Sequence, residues 1–436
     1  MNTRIFNARI LPMQDDMNIV NGELWIHDGN IIYVGDGNDT ADVCSRNGLE
    51  CIIWDREIDA GQNLVMPGFK DAHTHSGMTF LRSFADDMPL NDWLFKQIFP
   101  KEAQLTPEDI YHCTKLAILE YLTSGITAAF EMYLTPDSIA DATEECGFRC
   151  VQVSGMSTQE HFEERVAQLE ETYLKHNGRH PLTSYKLGYH AEYTCPKGLL
   201  EELSKLSHKY SEPVFAHNSE TASEVQGCRD RYGCTPTELA DSLGLFDFGG
   251  GAFHGVWMSD NDFKIFRKRG LSVVTNPASN AKLASGIAPI SRYMKEGINI
   301  AIGTDGPASN NCLDMFREMF LTTALGKLHD NDAAAVDADE VLKMATRGGA
   351  EAMGLNDCMC LAPGQKADIV IIDLDQPNMQ PINNITKNIV YSGSKTNVKM
   401  TMVDGKVLYE NGRFNIGTEP EQIYKEVNKI IDRMRD

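Results

Sequence analysis

The sequence predicts an α/β protein, a (β/α)8 TIM barrel with a small discontinuous β-sandwich built from both termini. Three observations predict it. Between residues 64 and 305, eight short apolar runs alternate strictly with helical patterns. Each run is about one strand long and dense in apolar residues, as in strands buried on both faces of a parallel sheet. The two ends of the chain have a different texture, with hairpin signals.

At the amino end, "GELWIHDGNIIYVGDG" reads as a hairpin turning through Asp28-Gly29. The barrel strands follow as "NLVMPGFKDAH", "GITAAFEM", "RCVQVSG", "YKLGYH", "PVFAHNS", "GGGAFHGVW", "LSVVTNP" and "INIAIGTDG". Between the first two, "TPEDIYHCTKLAILEYLTSG" is a helix with Thr106 as N-cap, Pro107 in the first turn, Asp109 at the capping-box position and Gly125 at its end. "CPKGLLEELSKLSHKYS" and "MSDNDFKIFRKRG" read as helices on the same grounds. At the carboxyl end, "ADIVIIDLD" and "VKMTMVDGKVLYENGRF" give further strands, the second turning at Asp404-Gly405. The expected organisation is a small β domain from residues 1–60 plus 361–412, a barrel over 61–360, and a docking helix over 413–436. That helix is expected to start at Thr418 with Glu421 completing its capping box, and to present Ile423, Val427, Ile430, Ile431 and Met434 on one face, toward the body or a partner subunit.

The bulk properties restrict function. With 42% apolar and 23% charged residues, the 436-residue chain has an ordinary globular composition. Forty basic against sixty-two acidic residues give a net charge of −22, which repels nucleic acid and anionic membranes. No apolar run reaches the ~18 residues that span a bilayer. The opening "MNTRIFNARILPMQDD" lacks a signal-peptide core and cleavage site, so a cytoplasmic location is expected. The eleven cysteines include no CxxC, and Cys358 with Cys360 stands without a second pair. They read as reduced thiols rather than a structural zinc site.

If the barrel is correct, chemistry belongs at the carboxyl ends of its strands. His73 and His75, an HxH pair on one strand face, end the first strand. His190 ends the fourth, His217 the fifth, His254 the sixth and Asp305 the eighth. His161, His176, His180 and His208 fall in helical or loop segments and are expected to be solvated. One such histidine is ordinarily a satisfied interior residue; six metal-competent groups on one rim predict a metal centre. Nitrogen and oxygen donors without sulfur suit Zn²⁺, with Fe²⁺ as the competitor. His73, His75, His217 and Asp305 would hold one ion per subunit, leaving a position for a water whose pKa the metal lowers to about 7. A second ion would need a bridging anion; the fourth strand ends in His190, and Lys186 is too far back to serve.

The stretches "PGFKDAHTHSGMTFLRSFADDMPLNDWL", "HNSE", "NPASNAKLASGIAPI", "GTDGPASNN" and "GQKADIVIIDL" resemble the amidohydrolase superfamily over essentially the whole chain. Within it they are similar to the branch of 5-methylthioadenosine/S-adenosylhomocysteine deaminases and triazine hydrolases. The resemblance implies hydrolytic deamination of an adenosine-type nucleoside (5′-methylthioadenosine, 5′-deoxyadenosine, adenosine or S-adenosylhomocysteine) to its inosine analogue and ammonia. It implies that Glu220 protonates the ring nitrogen, that Asp305 takes the proton of the attacking water, and that His254 steadies the developing oxyanion. It further implies His190 on a purine nitrogen, Glu102 on the ribose hydroxyls and Trp93 beside the 5′ substituent, with Glu220 also touching the base. Ser309 and Asn310 would only shape the last loop.

One departure stands out. The loop after the third strand, "VSGMSTQEHFEERV", has no arginine before Arg165 that could clamp a substrate carboxylate. Neutral 5′-modified adenosines are therefore expected to be preferred over S-adenosylhomocysteine. The competing enzymatic reading is hydrolysis of another amino- or chloro-substituted heterocycle such as a guanine, pterin or triazine. A non-catalytic barrel would lack a ligand or the glutamate, and none is lacking. A hydantoinase-type hydrolase is disfavoured by the missing strand-four lysine. The expected partner is a small-molecule substrate, with no nucleic acid and no membrane, in a homo-oligomer.

Overall fold

The computed structural model describes residues 1–14, 17–37, 40–47 and 52–435; Cys51, the eleventh cysteine, lies outside them. Eight parallel strands pair in chain order: Phe69–Thr74, Ile126–Glu131, Arg149–Val153, Thr183–Ala191, Val214–Asn218, Gly250–His254, Ser272–Thr275 and Asn299–Ile302. A parallel bridge between Thr74 and Asp305 joins the last strand to the first and closes the barrel. The strand interiors are buried almost without break, so the apolar runs reflect burial on both faces. Inside, Ala72, Phe130, Val151, Phe215, Phe253 and Val274 fill the barrel, which is a packed core rather than a channel.

The helix Pro107–Thr123 forms with the expected capping box between Thr106 and Asp109. Ser259 and Asp262 make another at the helix Asp260–Arg269. Both hairpins also form, with Asp28-Gly29 at φ 45° and 79° and Asp404-Gly405 at φ 48° and 77°, the pair of positive φ angles that a tight two-residue turn requires.

The terminal strands join in one hydrogen-bonded sheet of nine strands. Its order is Arg413–Phe414, Lys406–Glu410, Val398–Val403, Ile369–Ile372, Leu64–Pro67, Asn2–Ile10, Val20–His27 and Asn30–Gly35, with Arg56–Asp59 beside Asn2–Ile10. Thus the run "NLVMPGFKDAH" is not a single barrel strand. Leu64–Pro67 pairs with Ile369–Ile372 and Asn2–Ile10, and the barrel begins only at Phe69. An unbroken apolar run shows burial but not which sheet does the burying.

Two further expectations need correction. The last helix spans Pro420–Arg435, and Thr418, rather than capping it, accepts a hydrogen bond from Lys115 at 3.0 Å. Its apolar face does dock on the body of the protein, with Val427, Ile430 and Met434 packed among Trp93, Leu94 and Ile98. His176 is not solvated: it is 1% exposed, stacked on Tyr185, with Nε2 3.0 Å from Asp137. Among the described residues no helix is long and apolar enough to cross a membrane, and no disulfide joins two of the described cysteines.

Candidate active site

Strand ends deliver the site. His73, His217, His254 and Asp305 each offer one donor atom, and these four atoms lie within 4.8 Å of one another, all buried. The tightest set therefore takes His254 where the sequence reading takes His75. His75 is nonetheless beside it, its Nε2 3.2 Å from Asp305 Oδ1 and its ring centroid 5.5 Å from that of His217. His254 and Asp305 have φ of 77° and 59°, and Ser219, just past His217, has 55°. Left-handed backbone at three non-glycine residues of one rim costs energy and is typical of residues turned to face a site.

Backbone and side-chain acceptors orient the rings. His217 Nδ1 faces the His190 carbonyl at 2.8 Å, and His75 Nδ1 faces the Met132 carbonyl. A carbonyl cannot donate, so each Nδ1 carries a proton. For His217 this leaves the Nε2 lone pair for the cavity, whereas Asp305 beside Nε2 of His75 outweighs burial and raises that ring to about 9. His254 Nδ1 is paired with Asn280 Oδ1 at 2.7 Å. Asp305 Oδ2 accepts from Ser279 at 2.5 Å and Ser309 at 3.0 Å, which leaves Oδ1 toward the histidines. Ser309 does more than shape its loop.

His73 tests whether the set fits a cation. Its ring is fully buried and stacked on Phe253 at 3.9 Å, and neither nitrogen has a hydrogen-bond partner among the described residues. Burial pushes its pKa down to about 3, so the imidazole is neutral and carries a free lone pair. Burial and the surrounding imidazoles likewise hold His217 well below its ordinary value. Burial works against ionisation of Asp305, but the neighbouring rings of His73 and His75, with Nε2 atoms 3.5 and 3.2 Å from its Oδ1, keep its carboxyl well below the usual range. The neutral imidazoles of His73 and His217 beside a carboxylate, with no hydrogen bond to His73 among the described residues, are donors that a divalent cation requires.

Beside this cluster lies a pocket with about 150 Å³ of free space. Trp93, Glu102, His190, His217, Glu220, His254 and Asp305 all line it. Glu220 Oε2 is 3.9 Å from His254 Nε2. His190 is lowered to about 4 by burial, and its Nδ1 meets Thr194 Oγ1 at 2.9 Å. The Glu102 carboxyl, at the end of the helix Phe99–Glu102, is raised by burial, and its Oε1 has no hydrogen-bond partner among the described residues. Met78, Leu90, Leu94, Phe99, Leu134 and Leu283 complete an apolar wall with Trp93, and among the described residues the lining contains no lysine or arginine. A larger groove of about 690 Å³ runs outside, past Trp257 and Arg229, but it holds no comparable convergence of polar groups.

The pocket also contains residues that sequence reasoning missed. Tyr133 and Tyr193 line it, and Asn280, Ser279, Ser285 and Glu224 support its charged groups. Ser279, Asn280 and Ser285 all lie in "NPASNAKLASGIAPI", a polar stretch whose roles depend on the loop's path rather than on spacing.

A (β/α)8 barrel with a buried histidine–carboxylate cluster at the carboxyl ends of its strands defines a metal-dependent barrel hydrolase. More narrowly, the chain belongs to the amidohydrolase family, whose model matches residues 64–408. It is 38% identical over 417 residues to a 5-methylthioadenosine/S-adenosylhomocysteine deaminase of Thermoanaerobacter pseudethanolicus, covering 94% of each chain. Among solved structures it is similar to an adenosine deaminase from Xanthomonas campestris with bound zinc, at TM-score 0.91 and 32% identity over 99% of this chain and 98% of that one. A triazine hydrolase from Arthrobacter aurescens matches at TM-score 0.89 and 21% identity over 99% of each chain, a likeness of fold alone.

Proposed function

We propose that this enzyme hydrolytically deaminates adenosine-type nucleosides, with zinc as its metal and neutral 5′-substituted adenosines as preferred substrates. The observation that carries the reading is the meeting of His73, His217, His254 and Asp305 at the floor of a pocket that also holds Glu220. The names of its full-length relatives and the zinc in the adenosine deaminase structure support it.

When bound, the cation supplies activation of water as a nucleophile at neutral pH. Asp305 Oδ1 accepts the proton of that water, since its other oxygen is occupied by Ser279 and Ser309. Glu220 donates a proton to the ring nitrogen next to the amino-bearing carbon, so charge does not accumulate there as the water oxygen adds. The proton held by Asp305 then passes to the amino group, and ammonia leaves with the electrons of its C–N bond. The proton of the added hydroxyl returns to Glu220, which leaves a carbonyl on the ring carbon and restores the acid. His254, its Nδ1 held by Asn280, stabilises the adding oxygen by donating from a protonated Nε2, the cation then being held by His73, His75, His217 and Asp305. His190, neutral and fixed through Nδ1, presents Nε2 to the purine edge. Glu102 accepts from ribose hydroxyls, which satisfies an oxygen that otherwise has no partner.

The 5′ preference follows from the wall. A thioether or methyl group is at home among Trp93, Leu94, Phe99 and Leu283, whereas an amino-acid carboxylate finds no lysine or arginine among the described residues of the lining. Steady-state kinetics on the zinc-loaded protein test both parts, using 5′-methylthioadenosine, 5′-deoxyadenosine, adenosine, S-adenosylhomocysteine and guanine. We expect ammonia release from the adenosines, with kcat/KM about tenfold or more lower for S-adenosylhomocysteine. Equal values refute the preference, and turnover of guanine alone refutes the substrate class. Glu220→Gln is expected to keep its zinc and lose about 10²–10⁴ in kcat.

A further inference from the structure

The loop after the seventh barrel strand contains a hydroxyl with an unusual number of fixed neighbours. Ser285 is 3% exposed, and each of its polar groups is engaged. Its amide donates to the Asn280 carbonyl at 2.8 Å, and its carbonyl accepts from Trp257 Nε1 at 2.7 Å. Its hydroxyl donates to Glu220 Oε1 at 2.9 Å, across 65 residues of sequence. The backbone on either side is constrained, with Ala284 at φ 54° and Gly286 at φ 132°. A Cβ on Gly286 would sit 2.8 Å from Val256 Cγ1 and 3.3 Å from Trp257 Nε1, so the chain can run against Trp257 only through glycine.

The geometry points to Ser285 as a positioning residue that dictates which oxygen of Glu220 carries the transferable proton. The proposal rests on the acid–base reading of Glu220 given above. A serine hydroxyl that donates to Oε1 leaves that oxygen as an acceptor. The proton of the neutral acid then sits on Oε2, the oxygen 3.9 Å from His254 Nε2 and thus on the side of the reacting carbon. Without the hydroxyl the carboxyl can rotate and present the wrong oxygen, or none, to the ring nitrogen. The same loop holds His254 through Asn280 Oδ1, so one short segment orients both Glu220 and His254.

The role has a kinetic signature. Ser285 does not line the pocket, so its loss is expected to act on kcat and not on binding. The experiment compares the zinc-loaded wild type, Ser285→Ala, Ser285→Thr and Glu220→Gln with 5′-methylthioadenosine, recording kcat, KM, zinc content and thermal midpoint. Expected for Ser285→Ala is a fall in kcat of about 10- to 100-fold, with KM within about threefold and zinc and midpoint preserved. Ser285→Thr, which keeps a hydroxyl on the same backbone, recovers most of kcat. An Ala variant with wild-type kcat, a loss carried by KM, or equal losses in the Ala and Thr variants overturns the proposal. So does a fall that tracks lost zinc or a lowered midpoint. If Glu220→Gln itself keeps full kcat, the acid–base reading fails instead, and the two failures are thereby told apart.

Discussion

The barrel buries charged side chains at both ends of its strands, and the two clusters are built differently. At the amino ends, Arg149 makes a two-pronged pair with Asp368, Nε to Oδ2 at 2.7 Å and Nη2 to Oδ1 at 2.9 Å. The fully buried Lys70 donates to the Gly68 carbonyl at 3.1 Å and to Thr127 at 2.8 Å, with Asp368 4.0 Å away. Burial would raise the Asp368 carboxyl, but the Arg149 charge holds it below its ordinary value. Every charge there has an opposite charge or a hydrogen bond. At the carboxyl ends, three imidazoles converge on one carboxylate, and His73 has no hydrogen-bond partner among the described residues. A buried cluster that satisfies itself is structural, tying the barrel to the terminal sheet. One that leaves a lone pair unsatisfied waits for a ligand.

The comparison breaks most sharply on His73. His73→Ala is expected to lower zinc content to well under one per subunit and to reduce kcat/KM by about 10³-fold or more, since water activation is lost with the ion. Secondary structure by circular dichroism is expected to persist, because the small Ala side chain leaves no unpaired donor behind. Full zinc with full activity would move the centre away from His73. The amino-end cluster should behave in the opposite way. Arg149→Met strands Asp368 in the core, and a buried pair broken on one side costs about 3–5 kcal/mol. Urea unfolding at neutral pH measures that loss, while kcat of the folded fraction stays near wild type. A collapse of kcat with unchanged stability would show that the two ends are coupled.

These two clusters also mark how far the sequence could be read. The carboxyl-end residues were legible because a barrel requires function at strand ends, and histidines are rare enough there to stand out. Arg149 and Asp368 were not legible, since a pair 219 residues apart leaves no local pattern. His176 carried a signal that was overlooked. Val166, Leu169 and His176 fall on one buried face of the helix Phe162–His176, at spacings of three and seven, which predicts an inward side chain. The change of sheet after Pro67 had no signal, because strands of two sheets can share one apolar run. Ser279, Asn280 and Ser285 were visible as polar residues in a loop. What they hold depends on a path that composition does not specify.

Glu318 lies between the two designs and sharpens them by a smaller effect. It is fully buried and accepts from the Ala278 amide at 3.0 Å and from Asn310 Nδ2 at 2.9 Å, with no cation at hydrogen-bonding distance among the described residues. Burial outweighs those two donors and pushes its carboxyl up to about 8, whereas Asp368, with Arg149 beside it, moves the other way. The unfolded chain releases this proton near pH 4.5, its ordinary value, and the folded protein keeps it to about 8. The folded state binds more protons in that window, so its contribution to stability is complete below pH 4.5 and is lost as pH rises toward 8. The slope attributable to one group is at most about 1.4 kcal/mol per pH unit. Glu318→Gln removes the titration, so its urea-unfolding stability should decline less steeply than wild type between pH 6 and 8, at fixed ionic strength with zinc bound. A constant offset between the two curves reflects the changed hydrogen bond and does not matter; parallel slopes would mean that Glu318 is ionised in the folded protein and that an uncompensated carboxylate can sit in this core without a cation.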